Sequence, residues 1–156
     1  MQRSLDAVVD VMRVRASGDP ALAVLPVAGF ESARDESCEI LIAGGGTGGV
    51  AAALAAARAG RRVVLLEETD WLGGQMTAQG VSALDEHEHI EAFGGTASYY
   101  RFRAMLREHY RSRAGEAARC ADFNPGACWV TRLAFEPRVA VGVIEAMLQP
   151  YVETGR

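Results

Sequence analysis

The sequence predicts an α/β fold centred on one parallel βαβ unit, and three observations carry that reading. A short apolar run, Ile40-Leu41-Ile42-Ala43, follows Glu39 and feeds directly into a glycine loop from Gly44 to Gly49. An alanine-rich stretch of helical length continues from the loop without a break. A second apolar, β-branched run, Val63-Val64-Leu65-Leu66, then ends at Glu67. Strand, helix and strand within about 30 residues make one right-handed crossover unit. Unbroken apolar runs of this kind suit parallel strands buried on both faces.

Residues 4–15 are expected to form an amphipathic helix, because Leu5, Val8, Val9 and Met12 recur at helical spacing behind Ser4 as N-cap. Gly18-Asp19-Pro20 ends it, and residues 19–37 read as a linker with one short apolar contact around Val24 to Phe30. Residues 1–37 therefore form an extension ahead of the fold proper. The first strand is placed at 38–43, the helix at 48–59 with Gly60 in the C′ position, and the second strand at 62–67. Residues 68–95 lack periodicity and carry a run of charges and histidines from Asp85 to Glu91, so they read as a long loop with two glycine pairs, Gly73-Gly74 and Gly94-Gly95. Tyr99, Phe102, Met105, Leu106 and Tyr110 make the apolar stripe of a helix over 97–113. A loop over 114–127 contains the turn Asn124-Pro125-Gly126, and Trp129-Val130-Thr131 is expected to be a short strand. Glu136-Pro137 opens a last helix with Val139, Val143, Ile144, Met147 and Leu148 on its apolar face, and Pro150 is expected to kink or end it.

A chain of 156 residues is about one domain. Its 49% hydrophobic and 23% charged residues argue against disorder, and a net charge of −4 gives no footprint for nucleic acid. The basic run from Arg101 to Arg113 is interleaved with Glu108 and apolar residues, so it reads as one solvated helix face. No apolar window of about 18 residues would span a membrane, and the first residues lack the cationic start, apolar core and cleavage site of a secretory signal. Cys38, Cys120 and Cys128 are too few and too scattered for a disulfide framework, and one short of the four thiolates an iron–sulfur cluster takes. Cytoplasmic placement is the simplest expectation.

Gly44, Gly46 and Gly49 match G-x-G-x-x-G. The first glycine permits the tight turn out of the strand. The second lets phosphate oxygens approach a backbone without Cβ, and the third lets helix and sheet pack closely. The helix N-terminus offers free N–H groups and about half a positive charge to a pyrophosphate. Gly45 and Gly48 add room, and the Thr47 hydroxyl is a candidate donor to a phosphate oxygen. Glu67 lies 18 residues after Gly49, at the end of the second strand, where a carboxylate accepts from ribose hydroxyls and repels a 2′-phosphate. Arg61 and Arg62 precede that strand and are poorly placed to bind a phosphate at its far end.

These residues, with Trp71-Leu72-Gly73-Gly74-Gln75-Met76-Thr77, resemble the FAD-dependent oxidoreductases of the two-dinucleotide-binding type, and most of all the heterodisulfide-reductase-A-like branch. Asn124-Pro125-Gly126 to Cys128-Trp129-Val130 and Phe135-Glu136-Pro137 are similar to that branch as well. The resemblance implies a Rossmann-like domain over 38–156 and FAD as cofactor, with Gly73-Gly74 along its flavin-side half and Gln75 offering an amide to the ring edge. It also implies a second motif later in the fold, which nothing after residue 137 offers. The chain is therefore expected to be the N-terminal portion of a larger enzyme, holding FAD weakly or not at all by itself and inactive alone. Its partners would be the rest of the polypeptide or an electron-transfer protein, and a small-molecule substrate that the sequence does not identify.

Catalytic residues are not legible. Asp85-Glu86-His87-Glu88-His89 would place His87 and His89 on one face of a strand, but no cysteine or third histidine lies at metal-site spacing, so a solvated loop without metal is expected. An acid–base histidine beside the flavin is the alternative. Cys120 and Cys128 are not a C-x-x-C pair, and Cys128 beside Trp129 is expected to be packed. Two rivals to the flavoenzyme stand: a non-catalytic binding module of the same fold, and the NAD-binding domain of a dehydrogenase.

Overall fold

The structure is a computed structural model and describes residues 35–115 and 123–155. The helix expected at 4–15, most of the linker after it, and Cys120 lie outside the described residues.

Strand β1, Ile40–Ala43, pairs in parallel with β2, Val63–Leu66, in a register that runs from Ile40 opposite Val63 to Ala43 opposite Leu66. Helix α1, Thr47–Arg58, makes the crossover between them. It ends as its glycine foretells. Gly60 N donates to Ala57 O and Arg61 N to Ala56 O, the paired bonds of a Schellman motif with Ala59 as C-cap. The result is a Rossmann-like βαβ unit in a mixed helix–strand fold.

The strands depart from expectation in burial. Leu41 is 60% exposed and Leu66 51% exposed, where burial on both faces was expected. Paired residues of a parallel ladder share a face, so Leu41, Ala43, Val64 and Leu66 lie on one side. Leu65 lies on the other side, towards Gly49 of α1. Among the described residues, α1 is the helix that packs against both strands, so only one face has a helical cover.

Helix α2, Ala97–Ala114, starts at Thr96, whose hydroxyl accepts from Tyr99 N at 3.2 Å. Helix α3, Pro137–Val152, starts on Glu136 with proline at its first position. It runs two residues past Pro150 rather than ending there, and Glu153 N still closes on Gln149 O. Helices α1, α2 and α3 meet in a core of Val50, Leu54, Phe102, Leu106, Ile144 and Met147, which Leu133 and Phe135 complete. Phe135 meets Phe102 edge to face at 6.1 Å.

The expected strand at 129–131 does not form. Asn124 Nδ2 donates to Cys128 O, and Pro125–Ala127 make a single 3-10 turn, so the segment is held bent. Trp129 is 93% exposed, and Cys128 beside it is half-buried. Strand-like pairing falls later, as an antiparallel bridge between Ala83 and Ala134. Among the described residues no helix is long and apolar enough to cross a membrane.

Candidate functional site

The glycine loop sits at the junction between β1 and α1. Gly44 leaves the strand at φ +105°, which residues with a Cβ rarely adopt, and its N–H donates to Leu66 O at 3.0 Å. At Gly49 an added Cβ would overlap the carbonyl oxygen of Gly44, so this glycine lets the helix approach the loop. Around Gly46 and Gly48 an added Cβ would meet nothing within 4 Å. With Gly44, three of the loop glycines thus face open space. Gly46 is the N-cap of α1 and no side chain caps that helix, which leaves its first-turn N–H groups for a ligand.

Glu67 reaches back to this loop. Its Oε2 accepts from Gly45 N at 2.8 Å, and its Oε1 accepts from Thr69 N at 2.9 Å and Thr69 Oγ1 at 2.8 Å. The Thr69 N–H and then the Thr69 hydroxyl outweigh desolvation and, with a lesser contribution from the Gly45 N–H, hold the carboxyl below its ordinary value. A Cβ at Gly45 would press on Glu67 and on Leu72, so this position also requires glycine. Ala43, Gly44, Leu66, Glu67 and Glu68 line a cleft of about 360 Å³ at the carboxyl ends of the strands. Ligands of open α/β sheets bind at that end.

The second glycine pair docks onto the first loop. Gly73 N donates to Gly45 O at 2.8 Å, Gly46 and Gly73 form a parallel bridge, and a Cβ at Gly74 would lie 3.0 Å from the Cα of Gly46. Gly73 has φ +114° and no room for a Cβ beside Ile144 and Thr77. The Thr47 hydroxyl, a candidate phosphate donor, donates instead to Gly73 O at 3.2 Å. Gln75 is exposed beside the pair. The structure therefore brings Gly44 to Gly49, Glu67, Gly73, Gly74 and Gln75 into one neighbourhood. Arg61 and Arg62 N pair with the Glu39 carboxylate, at the opposite end of the strands.

A second constellation corrects the sequence reading. Glu86 and Arg103 are not solvated: their side chains are 4% and 1% exposed and ion-paired with each other. Glu86 also accepts from Tyr99 and Thr131, while Arg103 reaches Glu91, which Arg107 shares at 2.6 Å. Desolvation works to raise the Glu86 carboxyl, but the bonds from Arg103, Thr131 and Tyr99 together outweigh it and hold it low. The same burial and the Glu86 charge push the Tyr99 phenol well up. An acid in a charged loop and an arginine inside an apolar stripe were the only signals, and neither names its partner. His87 accepts from His89 N through Nδ1, and both rings lie against Phe93. Among the described residues no group of three His, Cys, Asp or Glu is placed to hold a metal ion.

The donor set and the open glycines fit a diphosphate next to a ribose diol: uncapped helix N–H groups on one side and a deprotonated carboxylate on the other. The family described as FAD dependent oxidoreductase matches residues 39–155. No curated protein and no solved structure matches the chain.

Proposed function

The chain belongs to the FAD dependent oxidoreductase family, whose cofactor is FAD, and from that premise we propose that residues 44–49 and Glu67 bind the ADP half of the cofactor. The observation that carries this reading is the Glu67 carboxylate bonded to Gly45 N at 2.8 Å beside an uncapped helix N-terminus. The first-turn N–H groups of α1 would hold the pyrophosphate, and Gly46 and Gly48 would let its oxygens approach. Glu67 would accept from the ribose hydroxyls through a lone pair that its internal bonds leave open. Gly73-Gly74 and Gln75 would pass along the flavin side. When bound, the flavin supplies the transfer of electrons or hydride, and the protein supplies position and electrostatics. Membership of the heterodisulfide-reductase-A-like branch, a cytoplasmic setting, and an electron-transfer partner or further polypeptide beside a small-molecule substrate complete the proposal.

Calorimetric titration of the whole chain with FAD, ADP and NADP tests it. ADP is expected to bind and FAD no more tightly than ADP, Glu67→Gln to weaken ADP binding, and NADP to bind far more weakly because its 2′-phosphate meets the carboxylate. Equal binding of NADP, or no effect of Glu67→Gln, would refute the assignment.

A further inference from the structure

We propose that Thr69 is a positioning residue that sets which oxygen of Glu67 meets the nucleotide. The inference rests on the reading of Glu67 as a ribose acceptor and goes one residue beyond it. A carboxylate has about four acceptor sites, two on each oxygen. Thr69 fills both sites of Oε1, one with its N–H at 2.9 Å and one with its hydroxyl at 2.8 Å. Gly45 N takes one site of Oε2, at 2.8 Å. With Oε1 filled, the open acceptor capacity lies on Oε2, the oxygen that touches the glycine loop; the Glu68 N–H adds the weakest pull on the carboxyl.

The hydroxyl is itself held. Thr69 Oγ1 lies 3.0 Å from Trp71 O and accepts from Trp71 N at 3.3 Å. Its single proton serves the charged acceptor, since a bond to a carboxylate is about twice as strong as one to a neutral carbonyl. The turn from Glu67 to Trp71 therefore fixes the Thr69 rotamer, Thr69 fixes Oε1, and the carboxylate plane follows. Without the hydroxyl, Oε1 keeps only a backbone donor and the carboxylate is free to turn about its last bond, losing the fixed direction of its open site. The hydroxyl also keeps the group deprotonated at lower pH than its ordinary range.

The test is ADP affinity of the whole chain as a function of pH, for wild type, Thr69→Val and Thr69→Ser, with the carbon-13 titration of the Glu67 carboxyl in the free protein. Thr69→Val is expected to lose about tenfold in ADP affinity at neutral pH, as for a deleted bond to a charged group. Its acid limb and its Glu67 titration should both move to higher pH. Thr69→Ser should restore all three. A purely structural role would lower the melting temperature and leave the two midpoints in place. If wild type binds ADP but Thr69→Val matches it in affinity and in both midpoints, the positioning role is wrong and the nucleotide site stands. If wild type binds no ADP, the nucleotide site itself is wrong and the positioning role falls with it.

Discussion

The glycine junction and the Glu86–Arg103 network hold neighbouring parts of one long connection by opposite means. At the junction, Gly73-Gly74 is laid against Gly45 and Gly46 by backbone contacts that side chains would block. Beyond it, the buried Arg103 of α2 ties down the buried Glu86 side chain and the exposed Glu91 by charge. The first arrangement leaves a cleft and free N–H groups, so it is suited to receive a ligand. The second satisfies its charges internally and offers a ligand little. The difference teaches that closeness of backbone marks the proposed binding region of this protein, while density of charge marks its scaffold.

Substitutions should separate the two. The largest effect is expected at Gly49. Gly49→Ala drives a methyl into the Gly44 carbonyl and should cost on the order of 5 kcal/mol, enough to prevent folding, as read by circular dichroism and thermal melting. Next is Arg103→Met, which strands the buried Glu86 charge and should cost about 3–5 kcal/mol in denaturant unfolding. Adding Glu86→Leu should recover much of that loss, because an apolar pair replaces the ionic one. A double variant no more stable than the single would show that the network does more than compensate its own burial.

The pH dependence sharpens the same contrast. Glu86 has its carboxyl held low in the folded state, so its contribution is present above the ordinary carboxylate range of about 4.3 and is lost as pH falls through the lower folded value. Tyr99 is raised, so stability should fall as pH climbs past about 10, where the unfolded phenol ionises and the folded one does not. Phe in place of Tyr99 should reduce the alkaline loss to the part that the raised Tyr110 adds, and should also move the acid limb towards the ordinary carboxylate range, because Glu86 loses one of its donors.

Smaller still is Thr96→Ala, which removes the cap of α2 and should cost about 1 kcal/mol in the same unfolding assay. The smallest change in stability is expected at Gly46. Its φ of −63° suits alanine, and a methyl there meets nothing within 4 Å, so Gly46→Ala should fold within about 0.5 kcal/mol of wild type. That methyl occupies the space a phosphate needs, so ADP binding should be lost while stability is kept. This is the reverse of Arg103→Met, which should lose stability without touching the site.

The junction was legible in the sequence because its demands fall on residue type at fixed spacing. Only glycine serves at Gly44 and Gly49, and the strand length carries Glu67 back beside them. Helices α2 and α3 were legible through their apolar stripes, to within a residue or two of their ends. The burial of Arg103 was not legible, since its partner Glu86 lies in an aperiodic loop and Thr131 lies further still, and a charge alone reads as solvated. The exposed face of the strands was missed because apolar runs specify that a face wants cover, not what supplies it. Trp129 failed as a strand because its β propensity yielded to the turn at Pro125–Ala127.

The central claim is that the backbone of residues 44–49 meets a diphosphate while Glu67 meets the adjoining sugar. Amide proton and nitrogen shifts of the labelled chain, followed as ADP and then adenosine are added, test it most directly. ADP should move the amides of Gly46 to Gly49 and of Gly45, and adenosine should perturb Gly45 and the Glu67–Glu68 pair while leaving the first turn of α1 in place. Shifts from ADP that map elsewhere, or that adenosine reproduces in full at Gly46 to Gly49, would contradict the account.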